Sequence, residues 1–140
     1  MAATRKPLAD AIALAVRDLD PTLILMGLSG SALIEAGRAQ GLLTASEVFA
    51  DRNSQSNGTL VPRAQPDAII TDVDLAVSRA IRMVQLQRVI ASDGSDIRVH
   101  TDSICIHGDA PHAQLFAQRI RSALTAAGIS VLALGTPSLA

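Results

Sequence analysis

One seven-residue stretch, residues 103–109, constrains the fold of this chain more than any other. Its sequence is Ser-Ile-Cys-Ile-His-Gly-Asp, so three apolar residues stand between polar neighbours. A short apolar run rich in Ile is typical of a strand that is covered on both faces, and we predict a buried strand at residues 104–106. Gly108 permits a sharp exit from it. Asp109 stands where the N-cap of a following helix belongs, with Pro111 inside the first turn of that helix.

Two residues with chemical potential, His107 and Asp109, follow this strand directly. In parallel α/β folds, groups at the carboxyl end of a strand face the ligand crevice. Histidine transfers protons near neutral pH, whereas an Asp that opens a helix is more often a cap than a catalyst. Cys105 lies within the apolar run, which favours a small core residue over a nucleophile. The stretch predicts a location for a site and leaves its reaction open.

Predicted helices and strands alternate along the chain. Apolar periodicity predicts helices at residues 7–18, 32–40 and 113–127, and a further helix after a capping box at 71–74. Apolar runs predict strands at 22–26, 47–50 and 129–134, and alternation around Asp93-Gly94 predicts a hairpin over 88–100. Strands that alternate with helices at this spacing indicate parallel βα units within one domain, residues 1–140.

The glycine- and serine-containing segment 27–31 resembles two catalytic loops without matching either. A nucleophile elbow requires Gly in its fifth place, where this chain has Ser31, and a phosphate loop requires a Gly-Lys-Ser/Thr sequence that is absent. Ser29 or Ser31 as the cap of the following helix is the favoured interpretation.

A polar, turn-rich segment at residues 53–65 is long for a connection inside a compact domain. Such segments are typically binding loops or lids. Asp51 and Arg52 precede it and Arg63 lies near its end. Two interpretations remain open: these three residues pair on the surface, which we prefer narrowly, or the two guanidinium groups grip a carboxylate.

The overall composition excludes several classes of function. A formal net charge of -1 and only two aromatic residues, both Phe, argue against a nucleic-acid surface. No apolar run reaches the length that spans a membrane, and the single Cys excludes an internal disulfide. His100, His107 and His112 show no convincing metal-ligand spacing, so metal dependence stays open. The mean hydropathy of +0.32 is high for a small domain, which predicts apolar surface that another chain covers.

Three motifs in one order now carry a specific resemblance. They are Glu-Val-Phe-Ala-Asp-Arg at 47–52, Leu-Val-Pro-Arg at 60–63 and Ile-Cys-Ile-His-Gly-Asp at 104–109. In these motifs the chain resembles the LamB/YcsF lactam-utilisation family, the A subunit of bacterial 5-oxoprolinase, from about residue 8 to residue 134. The resemblance implies a cytoplasmic enzyme component that opens 5-oxo-L-proline to L-glutamate with ATP and with partner B and C subunits. It also implies parallel βα units in an irregular (β/α) barrel of the glycoside hydrolase/deacetylase type.

The chain departs from the family pattern in what it lacks. Family members begin with an Asp-Leu-Asn-x-Asp-x-Gly-Glu strand and continue through Cys-Gly-Phe-His-x-Gly-Asp, His-Pro-Ser and Lys-Pro-His-Gly segments, none of which is present here. Ser54 also stands where the family usually has an aromatic residue. The resemblance therefore implies the carboxyl-terminal half of a barrel. Half a barrel exposes two strand edges, which predicts self-association or a separate amino-terminal half.

The resemblance and the placement at strand ends together suggest roles for six residues. His107 is the candidate general acid/base and Asp109 its orienting partner. Arg52 or Arg63 is the candidate ligand of the substrate carboxylate, and Asp51 or Glu47 would fix those arginines. Three functional classes stay open: a component of a split 5-oxoprolinase, a non-catalytic module that binds the B and C subunits, and a small-molecule binding module that uses the loop arginines.

Overall fold

The computed structural model describes residues 1–109 and 112–135, which form four helices, a small parallel sheet and a hairpin. The α1–α4 helices span Lys6–Leu19, Ala32–Ala39, Val73–Leu86 and Ala113–Ala126. The β1–β5 strands span Ile24–Leu28, Leu43–Phe49, Arg88–Ile90, Asp96–Arg98 and Ser103–Cys105. In the part of the chain that is described, none of the helices has the length and apolar character that crossing a bilayer requires.

The parallel sheet has the strand order β1-β2-β5. Both pairings are parallel, which confirms the prediction of parallel βα units. At the carboxyl edge of the sheet, Phe49 of β2 lies opposite Cys105 of β5. The two chains that leave these strands therefore start side by side, and Asp51 and His107 emerge from neighbouring strands. This register positions the candidate site.

Three predictions about the end of the chain require correction. The strand at β5 is half-buried throughout and ends at Cys105, so it is not the fully buried strand predicted at 104–106. Helix α4 begins after His112, and no side chain caps it, so Asp109 is not its N-cap. The strand predicted at 129–134 does not form, because these residues join no strand ladder among the described residues. Pro111 lies outside the described residues.

The side-chain caps of helices α2 and α3 show how closely the local sequence specifies a helix start. The hydroxyl of Ser31 accepts a hydrogen bond from the Ile34 N–H at 3.4 Å, as predicted for a cap of α2. Helix α3 begins one residue later than the predicted capping box implied. Asp72, rather than Thr71, is its N-cap, and the Asp72 carboxylate accepts hydrogen bonds from two backbone N–H groups of the first turn.

The predicted hairpin forms from β3 and β4, with Val89 opposite Ile97. Gly94 adopts a φ of +85° in its turn, a conformation that favours glycine. Val89 packs with Val48 and Met83 in a small buried cluster, so the hairpin closes one side of the sheet.

A larger apolar cluster joins helices α3 and α4 beneath the carboxyl edge of the sheet. Its buried members are Ala50, Ile70, Ala76, Ala80, Phe116, Ile120 and Leu124. A separate cluster packs α1 and α2 against Leu25 of β1. The helices therefore pack against the sheet and bring the start of α4 close to the ends of β2 and β5.

Arg79 connects helix α3 to the sheet edge. Its side chain is buried, with one guanidinium nitrogen donating to the Ile90 carbonyl at 2.9 Å and another to the Arg52 carbonyl at 3.1 Å. Burial lowers the pKa of the Arg79 guanidinium from its ordinary value. Through these bonds, α3 fixes the backbone immediately after Asp51.

Candidate functional site

A hollow of about 390 Å³ lies between the end of β5, the start of α4 and the long segment that follows β2. Five of the six predicted site residues line it: Asp51, Arg52, Arg63, His107 and Asp109. The rest of its wall is largely apolar and includes Pro66, Ile69, Ile70, Ile106 and Phe116. The sixth residue, Glu47, lies on β2 opposite Ser103 and does not line the hollow. The structure therefore brings together charged residues that are far apart in sequence in a pocket with an apolar floor.

Asp51 holds His107 through both its backbone and its ring. One Asp51 carboxylate oxygen accepts the His107 backbone N–H at 2.8 Å, and the same oxygen lies 2.9 Å from the imidazole Nδ1. The Asp51 side chain is 5% exposed and that of His107 is 24% exposed. A carboxylate beside Nδ1 favours the tautomer with the proton on Nδ1, which leaves Nε2 as the acceptor in neutral imidazole. The orienting role predicted for Asp109 therefore falls to Asp51.

The imidazole also stacks on Phe49, the last residue of β2. The ring centroids are 5.7 Å apart and the planes differ by 23°. Sequence reasoning missed this contact, although the parallel pairing of β2 with β5 places Phe49 beside the start of the His107 segment. With one face against Phe49 and Nδ1 against Asp51, the ring has few orientations left.

Arg52 is buried and anchored on backbone carbonyls, so the surface ion pair preferred for it in the sequence analysis is wrong. Its Nε donates to the Ala68 carbonyl at 3.0 Å and its Nη2 to the Val61 carbonyl at 2.6 Å. Burial lowers the pKa of the Arg52 guanidinium, the nearby Arg63 lowers it further, and Asp51 raises it.

The third guanidinium nitrogen of Arg52, Nη1, has no hydrogen-bond partner among the described residues. Arg52 lines the hollow, so this nitrogen is a candidate contact for a ligand there. Because Nε and Nη2 are fixed, the direction of Nη1 is fixed as well.

Arg63 and Asp109 form an ion pair, which we call the outer pair. The Arg63 Nη1 and Asp109 Oδ2 atoms are 3.3 Å apart, and the two side chains are 50% and 70% exposed. The hydrogen bond from Arg63 lowers the pKa of the Asp109 carboxyl from its ordinary value. In contrast, Asp51, Arg52 and His107 form an inner group, in which Asp51 holds the His107 ring and two buried backbone carbonyls hold Arg52.

The segment after β2 forms one wall of the hollow, in the position expected of a binding loop. Two isolated antiparallel bridges, Arg52 with Ile69 and Ser54 with Leu60, fold it back on itself. The Asn53 side-chain amide also donates to the Asp67 carbonyl at 2.6 Å. The segment is therefore pinned at its base, and Arg63 is presented from its exposed part.

The sequence analysis did not favour Cys105 as a nucleophile and left metal binding open. Burial raises the pKa of the Cys105 thiol, and the Glu47 and Asp51 carboxylates raise it further, so the thiol is a poor nucleophile. Among residues 1–109 and 112–135, no three His, Cys, Asp or Glu side chains are grouped closely enough to hold a metal ion. His112 is exposed at the rim of the hollow.

Comparison with known proteins identifies the family of this chain. The LamB/YcsF family model matches residues 1–138. The A subunit of 5-oxoprolinase from Brevibacillus brevis is 55% identical over 133 residues, which are 95% of this chain and 52% of that protein. The A subunit from Bacillus subtilis is 54% identical and aligns with 96% of this chain.

A solved structure of a lactam utilization protein has the same fold as this chain. The lactam utilization protein from Thermus thermophilus superposes with a TM-score of 0.85 at 41% identity, covering 95% of this chain and 53% of that one. This chain spans about half the length of the curated relatives it matches. With nearly all of its residues matched by the family model, the chain belongs to the LamB/YcsF family.

Proposed function

We propose that this chain is a component of a 5-oxoprolinase and that the hollow binds 5-oxo-L-proline. One observation carries the proposal: the hollow combines a fixed, unoccupied guanidinium nitrogen of Arg52 with an imidazole that Asp51 orients. A small cyclic amide with a carboxylate needs both groups. The relatives that are named as the A subunit of 5-oxoprolinase support the same conclusion.

The substrate fits the hollow in one orientation by charge and polarity. Its carboxylate would accept hydrogen bonds from Arg52 Nη1 and from Arg63, because planar guanidinium groups match the geometry of a carboxylate. Its ring would rest on the apolar wall formed by Ile69, Ile70 and Phe116. The amide would then face His107, the remaining hydrogen-bonding group that Asp51 holds in place.

His107 is proposed to move protons during ring opening. As a neutral imidazole, Nε2 accepts a proton from the water that adds to the amide carbonyl carbon. The imidazolium then gives this proton to the ring nitrogen as the carbon–nitrogen bond breaks, which yields the amine of L-glutamate. Asp51 stabilises the imidazolium through Nδ1, and the net reaction consumes one water.

ATP is proposed as a requirement of the complete enzyme. Two carboxylates, Asp51 and Asp109, and two guanidinium groups, Arg52 and Arg63, line the hollow, so its charges alone do not assign the nucleotide to it. The roles derived above do not involve ATP.

The proposed partners are the B and C subunits and a polypeptide that supplies the amino-terminal half of a barrel. Within the described residues, the outer strands β1 and β5 each have a neighbour on one side only. Several large apolar side chains are also exposed, among them Met26 at 40%, Leu43 at 65% and Leu132 at 55%. Strand pairing with a second half would close the sheet toward a barrel and cover such surface. We place this assembly in the cytoplasm.

Hydrolysis of 5-oxo-L-proline by the reconstituted enzyme tests the proposal. The chain is combined with ATP, the B and C subunits and the amino-terminal half of a family relative, and the L-glutamate formed is measured. We expect His107→Ala to lower kcat by about 10²- to 10⁴-fold, the usual contribution of a general acid/base. His100→Ala removes an exposed imidazole outside the hollow and serves as the control.

Two outcomes contradict the proposal in different ways. Full activity of His107→Ala would remove the imidazole from the reaction. Assembly with the B and C subunits, without any turnover by the unmodified chain, would favour the non-catalytic module instead.

A further inference from the structure

We propose that Asp109 is an internal competitor for the substrate carboxylate: it occupies Arg63 in the empty hollow and is displaced when a carboxylate ligand binds. The proposal rests on the proposed function for the identity of the substrate. The competition itself concerns any small carboxylate that enters the hollow. It assigns Asp109 a role in setting affinity and selectivity, not in catalysis.

The geometry of the outer pair is that of an exchangeable contact. At 3.3 Å, the Arg63–Asp109 contact is longer than the roughly 2.7–2.9 Å that is usual for a strong charge-assisted hydrogen bond. It joins one nitrogen to one oxygen, and it is the one polar contact that the described residues give the Arg63 guanidinium. A ligand carboxylate that offers two oxygens to the guanidinium fork would form a better bond.

The position of the outer pair places the competition at the hollow itself. Both side chains line the hollow, and they reach it from different segments of the chain, Arg63 from the segment after β2 and Asp109 from the turn after β5. A carboxylate that contacts Arg63 from within the hollow approaches the place where the Asp109 carboxylate lies. Since Asp109 is 70% exposed, it can turn into water when it is displaced.

Arg52 shows what a non-competing contact looks like in the same hollow. Backbone carbonyls hold its Nε and Nη2, and no carboxylate lies on its Nη1 among the described residues. The two arginines therefore act differently on a ligand carboxylate. Arg52 provides a fixed point of attachment, and the Nη1 of Arg63 becomes available only at the expense of its bond to Asp109.

The expected effect of removing the competitor is modest and has a definite sign. Exposed ion pairs of this kind correspond to about a two- to fivefold change in an equilibrium constant. Asp109→Asn should therefore tighten the binding of a carboxylate about two- to fivefold. The substitution should not change the affinity for a neutral lactam, because such a ligand does not compete for Arg63.

Binding of three probes to the isotope-labelled chain tests the inference by NMR, with the arginine Nε–Hε signals as the readout. The probes are acetate, which has the carboxylate alone, 2-pyrrolidinone, which has the lactam alone, and 5-oxo-L-proline, which has both. The variants are Asp109→Asn, Arg63→Gln and the two combined. Asp18→Asn is the matched control, because it removes a carboxylate from another exposed ion pair, that with Arg17, outside the hollow.

The expected pattern separates this inference from the proposed function. Acetate should bind Asp109→Asn more tightly than the unmodified chain or Asp18→Asn, and the gain should vanish in the double variant. Equal or weaker acetate binding by Asp109→Asn, or no response of the Arg63 signal to acetate in either chain, would overturn the inference. If acetate follows the expected pattern while 5-oxo-L-proline does not bind, the competition stands and the proposed substrate is wrong.

Discussion

The inner group and the outer pair use the same residue types for opposite purposes. In the inner group, Asp51 and Arg52 are 4% and 7% exposed, and each makes at least two hydrogen bonds with fixed partners. In the outer pair, Arg63 and Asp109 are at least half-exposed and share one long contact. Buried groups that are hydrogen-bonded to fixed partners keep their directions in space, whereas exposed pairs can be exchanged for a ligand. The comparison teaches that the hollow has a rigid side, formed by the inner group, and an adaptable side, formed by the outer pair.

The strongest test of the difference between the inner group and the outer pair is to remove the charge of Asp51 while keeping its shape. In Asp51→Asn, the amide can no longer favour the proton on Nδ1 of His107, so the imidazole loses both its tautomer and the stabilisation of its charged form. We expect kcat for 5-oxo-L-proline to fall by about 10²-fold or more, with little change in KM.

Exposed Asp67 provides the control for this variant. Its side chain lies on the same segment outside the hollow, so Asp67→Asn should keep normal kinetics. Equal kcat values for Asp51→Asn and Asp67→Asn would show that the inner group does not orient the imidazole.

A second prediction compares the two arginines by stability. Arg52→Ala leaves the Val61 carbonyl without its donor and leaves the Ala68 carbonyl with the Asn53 backbone N–H alone. Both residues are almost completely buried. We expect the free energy of unfolding to fall by about 3 kcal/mol, since two hydrogen bonds from a charged donor are lost and one buried acceptor is left without a partner. Arg63→Ala breaks only an exposed pair and should cost less than about 1 kcal/mol.

Urea unfolding of the two arginine variants measures this difference directly. A fall of similar size in both would mean that Arg63 supports the segment as much as Arg52 does. The division into an inner group and an outer pair would then fail.

The smallest expected effect concerns the Cys105 thiol, whose raised pKa comes first from burial, then from Glu47 and Asp51. A raised thiol pKa means less thiolate at a given pH, so iodoacetamide should react more slowly with the folded chain than with the unfolded chain at about pH 8. Asp51→Asn should speed this reaction modestly, and Asp109→Asn should not. A rate that responds equally to both variants would contradict the separation between the two groups of charges.

Much of the fold could be predicted from the sequence, because short-range signals specify it. The hairpin around Asp93-Gly94 and the Ser31 cap depend on residues within a few positions of each other. The strand predicted at 129–134 failed for the opposite reason. An apolar run becomes a strand only if a neighbouring strand offers its backbone, and the sequence of the run does not reveal whether one is present.

The site was predicted as a set of residues, but its connections were not. The order of the three motifs indicated that His107, Arg52 and Arg63 belong to one site, and the structure places them around one hollow. The pairing of Asp51 with His107 joins residues 56 positions apart through the parallel register of β2 and β5. Spacing along the chain carries no information on that register. Sequence alone therefore favours Asp109, the nearer carboxylate, as the orienting residue, whereas the structure shows Asp51 beside the imidazole.

The hydrogen bond from Arg79 to the Arg52 carbonyl has a consequence for mutational scanning. Arg79 belongs to helix α3, which does not line the hollow. A substitution at position 79 that lowers turnover would therefore ordinarily be attributed to a damaged docking surface for another protein. The hydrogen bond offers a simpler cause, because Arg79 braces the backbone that carries the inner group. Sensitivity at position 79 is therefore best interpreted as a loss of support for the hollow.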